Sequence, residues 1–130
     1  MACIVFGSCA TGDFDLHRSD IDFIVAAHEE LSTGMISDLK AMRDGISASN
    51  LKWAKKLEGF YVPQRALRRY DPKHVRYYSI GVDWDFGVGD HGIDWVIHLN
   101  VIREKGVVLA GPDPKTLIAP VGPDELRGAA

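Results

Sequence analysis

Two aspartates in the motif Ser-Asp-Ile-Asp carry the clearest chemical signal in this chain. Asp20 and Asp22 are separated by one residue and lead into the apolar run Phe-Ile-Val-Ala-Ala. Alternate residues of a β-strand point to the same face, so the two carboxylates are expected side by side, with Ile21 directed into the core. Two close carboxylates repel each other unless a cation neutralises them. The arrangement suits Mg²⁺, which prefers oxygen ligands and usually keeps substrate phosphates in its coordination sphere.

A Gly-Ser pair supplies the second feature of the same candidate site. Gly7 and Ser8 follow the apolar run 2–6, which is predicted to be a strand. Glycine lets a phosphate approach the backbone, and serine contributes a hydroxyl donor. Either motif alone is common, since Asp-x-Asp occurs at solvated turns and Gly-Ser is an ordinary turn signal. Together, with eleven residues between Ser8 and Asp20, they are far more specific for a site that binds metal and phosphate.

Length and composition are those of an ordinary globular domain. The chain has 130 residues, of which 46% are hydrophobic and 25% charged, and its net charge is −3. The basic residues between positions 55 and 76 favour a solvated face, and the acidic balance disfavours nucleic acid as a partner. No apolar stretch approaches the roughly 20 residues that span a bilayer, and no signal peptide is evident. Cys3 and Cys9 are expected to be reduced thiols, which indicates a cytoplasmic protein.

Apolar runs and periodicities predict strands and helices that alternate along the chain. Strands are predicted over residues 2–6, 20–27 and 57–62, with a weaker edge strand or hairpin over 80–88. Helices are predicted over 29–43, with Ser32 as a possible cap and Asp44-Gly45 as the end, and over 93–105, capped by Gly106. The segments 65–79 and 112–121 are expected to be irregular. The acids after Pro123 predict the start of a further helix.

The motifs resemble the signature of the polymerase β-like nucleotidyltransferases, which is Gly-Ser, about ten residues, then Asp-x-Asp. Here it reads GSCATGDFDLHRSDIDFIV. The segment GIDWVIHLNVIREKGVVLAGPDPKTLIAPVGPDELR resembles the part of streptomycin/spectinomycin-type aminoglycoside adenylyltransferases that leads into their C-terminal helical domain. The resemblance implies an α/β (α+β) fold with a small mixed sheet flanked by helices. It also implies a nucleotidyltransferase domain over 1–92 and, over 93–130, a helix and linker leading to a helical domain that is mostly absent.

The resemblance assigns the nucleotide half of a site. It implies that Gly7 and Ser8 hold the β- and γ-phosphates of a nucleotide, with ATP as co-substrate. It implies that Asp20 and Asp22 bind Mg²⁺, and Ser19 is expected to help order the phosphate loop.

The resemblance assigns fewer residues to the half of the site that would bind and activate the acceptor. The segment KLEGFYV resembles the strand that carries a third carboxylate, which implies Glu58 as metal ligand or general base. Asp83 and Asp85 are alternatives for that role, although they are also explained as surface residues of an edge strand. Asp94 is the nearest match to an acid that contacts the drug in the adenylyltransferases. The family's tryptophan after a Phe-Gly dipeptide is absent, because Val88 follows Phe86-Gly87.

The implied reaction is transfer of AMP from Mg-ATP to a hydroxyl of a small molecule such as an aminoglycoside, with release of pyrophosphate. The alternative is a minimal antitoxin or regulatory module of the same fold that adenylylates or binds a partner protein. A homodimer or a helical partner is considered plausible. Four histidines show no ligand spacing and are expected to be structural or exposed, namely His17, His28, His74 and His98.

Overall fold

Six strands form one mixed sheet in the computed structural model, which describes residues 1–7, 20–49, 54–73, 76–81, 87–90, 92 and 94–129. The strands are β1 (Ala2–Phe6), β2 (Ile21–Ala27), β3 (Leu57–Pro63), β4 (Arg76–Ile80), β5 (Gly87–Asp90) and β6 (Val107–Ala110). Their order across the sheet is β5-β4-β3-β2-β1-β6. The β2–β3 pair is parallel and the other neighbours are antiparallel.

Helices flank this sheet. They are α1 (Thr33–Ser47), α2 (Gln64–Arg68), α3 (Trp95–Lys105), α4 (Pro114–Leu117) and α5 (Pro123–Ala129), with a 3₁₀ turn over Ala54–Lys56. The predicted fold class, a small mixed sheet flanked by helices, is therefore confirmed. In the described part of the chain, no helix is long and apolar enough to cross a membrane.

The main core lies between α3 and one face of the sheet. Strand residues alternate between faces, and the even-numbered residues of β1 and β2 point towards α3. Ile4 and Ile24 are fully buried there, against α3 residues that include Leu99 and Ile102. The indole N–H of Trp95 donates a hydrogen bond to the Ala66 carbonyl at 3.2 Å, which satisfies the one polar atom of that buried ring.

The C-terminal third of the chain is part of the same packing unit. β6 pairs with β1 in the sheet, and α3 covers the core. The Ala119 N–H donates to the Arg68 carbonyl at 3.0 Å, which ties the segment after α4 to the end of α2. The division of the chain at residue 92 stays a prediction.

The opposite face of the sheet carries α1 and an apolar cleft of about 570 Å³. Ile21, Phe23 and Val25 line this cleft from β2, and Leu39 and Ile46 line it from α1. Ile21 therefore faces the cleft. The next residue, Asp22, points to the opposite side of the sheet, towards α3. Asp22 and the buried Ile24 are on one face, as their alternation requires.

Helix α1 differs from its prediction at the C-terminal end. Asp44-Gly45 does not end the helix, which continues to Ser47, and the N–H of Ala48 donates to the Asp44 carbonyl. The Ser32 cap is present, because its hydroxyl accepts from the Met35 N–H at 3.2 Å. Gly in a helix interior costs only about 1 kcal/mol, which contacts of the following turn can offset.

The prediction of an irregular segment over 65–79 was wrong. Helix α2 and strand β4 occupy much of it, and Leu67 and Tyr77 are buried. Strand β4 pairs antiparallel with β3, and Tyr78 of β4 is the register partner of Tyr61 on β3. The exposed arginines of this segment interrupt its apolar pattern, so its short apolar face is not recognisable from the sequence. The proline-rich segment after Ala110 likewise contains a helix, α4, which the Asp113 side chain caps by accepting from the Lys115 N–H.

Among the described residues, Arg43 is a charged side chain that is buried. It is only 7% exposed and lines the apolar cleft. One terminal nitrogen donates to Ser47 Oγ and the other to the Gly81 carbonyl at 3.5 Å, while its Nε has no partner. Burying a guanidinium with an unsatisfied N–H is costly.

We therefore expect Arg43→Met to raise the free energy of unfolding by about 1 kcal/mol, because methionine fills the site without a charge to desolvate. Urea denaturation measures the change. Arg69→Met, at an exposed arginine, serves as the control and should stay within about 0.5 kcal/mol of wild type. A loss of more than about 1 kcal/mol in Arg43→Met alone would show that the buried guanidinium stabilises the fold.

Candidate active site

Three neighbouring strands bring a row of residues together on the α3 face. Phe6 of β1 is the register partner of Asp22, and Asp22 is the register partner of Glu58 on β3. Adjacent strands lie about 4.8 Å apart, so the two carboxylates stand on neighbouring backbones at the same level. The adjacency of the second and third strands, on which the Glu58 assignment depends, is thus present. The chemical roles of both residues stay predictions.

Gly7 is the first residue after β1 and lies directly beside this row. Its φ is +70°, in the left-handed region that favours glycine. A Cβ at this position would overlap Oδ2 of Asp22 and lie 3.2 Å from its Cγ. The backbone at Gly7 therefore approaches the Asp22 carboxylate as closely as only a glycine permits. A phosphate held at this turn would be adjacent to Asp22 and Glu58, which together form the acidic row.

The electrostatics of Asp22 are those of a half-buried carboxylate beside a like charge. Partial burial raises the pKa of Asp22, and the negative charge of Asp20 raises it further. The nearby His98 acts in the opposite direction and lowers it. The two aspartates are therefore close enough to interact, as the Asp-x-Asp spacing predicts. A bound cation would relieve both unfavourable contributions.

Helix α3 carries Asp94 at its start and His98 one turn further along, close enough to Asp22 to affect its charge. Asp94 precedes the helix, is exposed and makes no side-chain cap. His98 is one turn further on, and its Nδ1 lies 3.2 Å from the Asp94 carbonyl oxygen. From the sequence alone, His98 is expected to be structural or exposed. The signal that could have singled it out is its i+4 spacing from Asp94, which puts both residues on one helix face.

Several predicted site residues lie outside the described residues. Ser8 and Ser19 are among them, as are the rival carboxylates Asp83 and Asp85. Cys9 and three of the five histidines also fall outside. Their assignments stay predictions.

One known protein family matches this chain. The model of the nucleotidyltransferase domain family matches residues 2–78, which is more than half of the sequence and includes β1, β2 and β3. The chain belongs to this family. The matched segment contains Gly7, Asp20, Asp22 and Glu58. No curated protein matches the sequence of this nucleotidyltransferase.

A solved structure shares the fold of this nucleotidyltransferase. It is the spectinomycin adenyltransferase AAD(9) from Enterococcus faecialis, crystallised with ATP and spectinomycin. The TM-score is 0.75 at 20% sequence identity, over 99% of this chain and 56% of that one. The chain thus spans little more than half the length of this neighbour.

The donor set of this nucleotidyltransferase fits a hard divalent cation. Asp20 and Asp22 offer carboxylate oxygens from one strand end, and the Gly7 backbone leaves open the space that a Cβ would fill. No group of three histidine, cysteine or acidic side chains gathers at ligand distance among the described residues. Two protein carboxylates with the remaining positions left to phosphate and water is the way in which Mg²⁺ is usually held.

The raised pKa of Asp22 makes a prediction about stability. Because the folded protein holds the proton more tightly than the unfolded chain, the unfavourable contribution of Asp22 grows as pH rises from the ordinary aspartate pKa through the raised value. Above that window, Asp22→Asn should melt at a higher temperature than wild type in the absence of metal. Below it the two proteins should melt alike.

Thermal melts at pH 3.5 and pH 7 with EDTA measure this difference. Asp44→Asn, at an exposed aspartate of α1, is the control and should not show it. A lower melting temperature for Asp22→Asn at pH 7 would mean that the Asp22 carboxylate stabilises the metal-free fold.

Proposed function

We propose that this nucleotidyltransferase transfers AMP from Mg-ATP to a hydroxyl group of a small molecule such as an aminoglycoside, with release of pyrophosphate. The observation that carries the proposal is the row of Asp22 and Glu58 on adjacent parallel strands, with the Gly7 turn against it. The neighbouring fold that binds ATP and spectinomycin supports the choice of nucleotide and acceptor.

Each residue has a distinct part in this proposal. Asp20 and Asp22 would hold Mg²⁺, which would supply positive charge to neutralise the phosphates and the leaving pyrophosphate. Gly7 and Ser8 bind the β- and γ-phosphates and so orient the α-phosphate towards the acceptor. The remaining groups serve the acceptor.

Glu58 is the proposed general base of this reaction. Its strand position beside Asp22 supports this role, because a phosphate bound at Asp22 would be close to Glu58, which would take the proton of the attacking hydroxyl. The oxygen then bonds to the α-phosphorus while the bond to the β-phosphate oxygen breaks, and pyrophosphate leaves. Asp94, at the exposed start of α3, is proposed to contact the acceptor, and Ser19 to order the phosphate loop.

Two differently labelled nucleotides test the reaction. The protein is incubated with Mg²⁺, spectinomycin or streptomycin, and ATP labelled at either the α- or the γ-phosphate. Label from the α-position should appear on the aminoglycoside, and label from the γ-position should appear only in pyrophosphate. Transfer of γ-label to the acceptor would make the protein a phosphotransferase and contradict the proposal.

A second candidate is adenylylation or binding of a partner protein. The exposed apolar edge of the sheet favours it: Val107 and Leu109 of β6 are 47% and 66% exposed. Such an edge can pair with another chain. Label from α-labelled ATP that appears on a protein and never on aminoglycosides would select this candidate over the first.

A further inference from the structure

His98 stands over the centre of the acidic row. Its ring centroid lies 6.3 Å from that of Phe6, on β1, and 5.9 Å from that of Phe60, on β3. Strand β2 lies between those two strands, and it contributes Asp22 at the level of Phe6 and Ile24 at the level of Phe60. A ring in contact with both phenylalanines must therefore lie above β2, beside Asp22.

The orientation of this imidazole is fixed by its surroundings. It stacks on Trp95 at 5.9 Å with an interplanar angle of 29°, and it meets Phe6 and Phe60 edge to face. Its Nδ1 is 3.2 Å from the Asp94 carbonyl oxygen, which can only accept, so Nδ1 carries the proton. In the neutral ring, Nε2 is then a hydrogen-bond acceptor. The side chain is partly exposed.

The groups around the row share one chemical property. Asp20, Asp22, Glu58 and Asp94 offer oxygens that accept hydrogen bonds, and Nε2 of His98 adds a nitrogen that accepts. A cation would neutralise Asp20 and Asp22, whereas Nε2 of His98 takes a hydrogen-bond donor. A molecule rich in hydroxyl or ammonium groups supplies such donors.

We propose that His98 is an acceptor-binding residue, whose Nε2 accepts a hydrogen bond from a hydroxyl or ammonium group of the molecule that receives AMP. The inference rests on the proposed function and deepens it. It adds an acceptor contact made by a residue of α3, which packs on the sheet. The proposed general base, Glu58, lies in the sheet itself, on β3. The acceptor it selects is a polyhydroxylated or amino-substituted molecule rather than an acidic one.

Three substitutions separate this role from simple packing. His98→Gln keeps a polar atom near the position of Nε2, His98→Asn keeps one near Nδ1, and His98→Leu keeps only apolar volume. At pH 8, the KM for spectinomycin should rise about 10-fold in His98→Asn and His98→Leu, as expected for the loss of one hydrogen bond, with the KM for ATP unchanged. His98→Gln should remain within about 3-fold of wild type.

A structural role would give another result. If His98 only fills the space between Phe6, Phe60 and Trp95, then the glutamine and asparagine variants should lose activity equally. Both KM values would change with the melting temperature. That outcome would overturn the proposal and leave the proposed function intact.

A spectroscopic readout does not depend on turnover. Mn²⁺ added with ATP should broaden the imidazole proton signals of His98 in the NMR spectrum. His28 is an internal control, because it follows the far end of β2 and contacts the N-terminal amine at 3.0 Å. In a separate sample with Mg²⁺ in place of Mn²⁺, spectinomycin should shift the Nε2 resonance of His98 more than that of His28. Equal effects on the two histidines would contradict the placement of His98.

The two proposals fail in different ways. Absence of AMP transfer by the wild-type protein to any aminoglycoside would contradict the proposed function. Transfer by wild type together with a His98 resonance that neither Mn²⁺ nor spectinomycin perturbs would contradict the role of His98 alone.

Discussion

Replacement of Asp22 by asparagine is expected to lower the rate of AMP transfer by about 10³-fold, since a metal ion at a phosphoryl oxygen contributes several kcal/mol to transition-state stabilisation. Asparagine is almost isosteric, but it removes one of the two negative charges that would hold Mg²⁺. Half-burial of Asp22 and the neighbouring Asp20 concentrate that charge at one strand end. The affinity for Mn²⁺, measured by titration, should fall together with the rate.

Asp44→Asn is the matched control for this experiment. It makes the same chemical change at an exposed aspartate of α1, and its rate should stay close to that of wild type. Because Asp22→Asn is expected to be at least as stable as wild type at pH 7 without metal, unfolding would not account for its loss of activity. A variant that retained more than about a tenth of the wild-type rate would exclude Asp22 as an essential metal ligand.

Gly7→Ala is the second substitution with a large expected effect. The new Cβ would overlap Oδ2 of Asp22, and φ of +70° is unfavourable for alanine. We expect the free energy of unfolding to fall by about 1–3 kcal/mol. The affinity for Mg-ATP should fall as well, because relief of the overlap moves the carboxylate or the phosphate turn. Urea denaturation and calorimetric titration with Mg-ATP measure the two effects.

Gly45→Ala controls for the loss of a glycine. Gly45 lies inside α1, where an added Cβ has no neighbour within 4 Å, and alanine there should stabilise the protein by about 0.5–1 kcal/mol. Its affinity for Mg-ATP should not change. If Gly7→Ala matched wild type in both measurements, the close approach between Gly7 and Asp22 would have no role in folding or in nucleotide binding.

The local features of the site could be predicted because they depend on neighbours in the chain. Alternation of side chains puts Asp20, just before β2, and Asp22 on one side, and Gly7 follows the apolar run of β1. Periodicity also predicted the long helices α1 and α3 to within a few residues at each end. Short elements were missed: α2 has five residues and α4 has four, too few for a periodic pattern.

Burial of individual polar groups was equally hidden from the sequence. Arg43 reads as an ordinary charged residue of an amphipathic helix, yet it is among the buried residues of the described chain. Its position depends on how α1 lies across the sheet and on the carbonyl of Gly81, which is far from it in sequence. No local pattern contains that information.

The sequence by itself determined the acidic pair, the glycine turn and the membership of the nucleotidyltransferase family, because each of these is a property of residues close together in the chain. The tertiary structure decided which distant residues meet them. Parallel pairing of β2 with β3 puts Glu58 beside Asp22, and packing of α3 on the sheet puts His98 above β2. Register and helix placement follow from burying many apolar side chains at once, so they emerge only when the whole core is assembled.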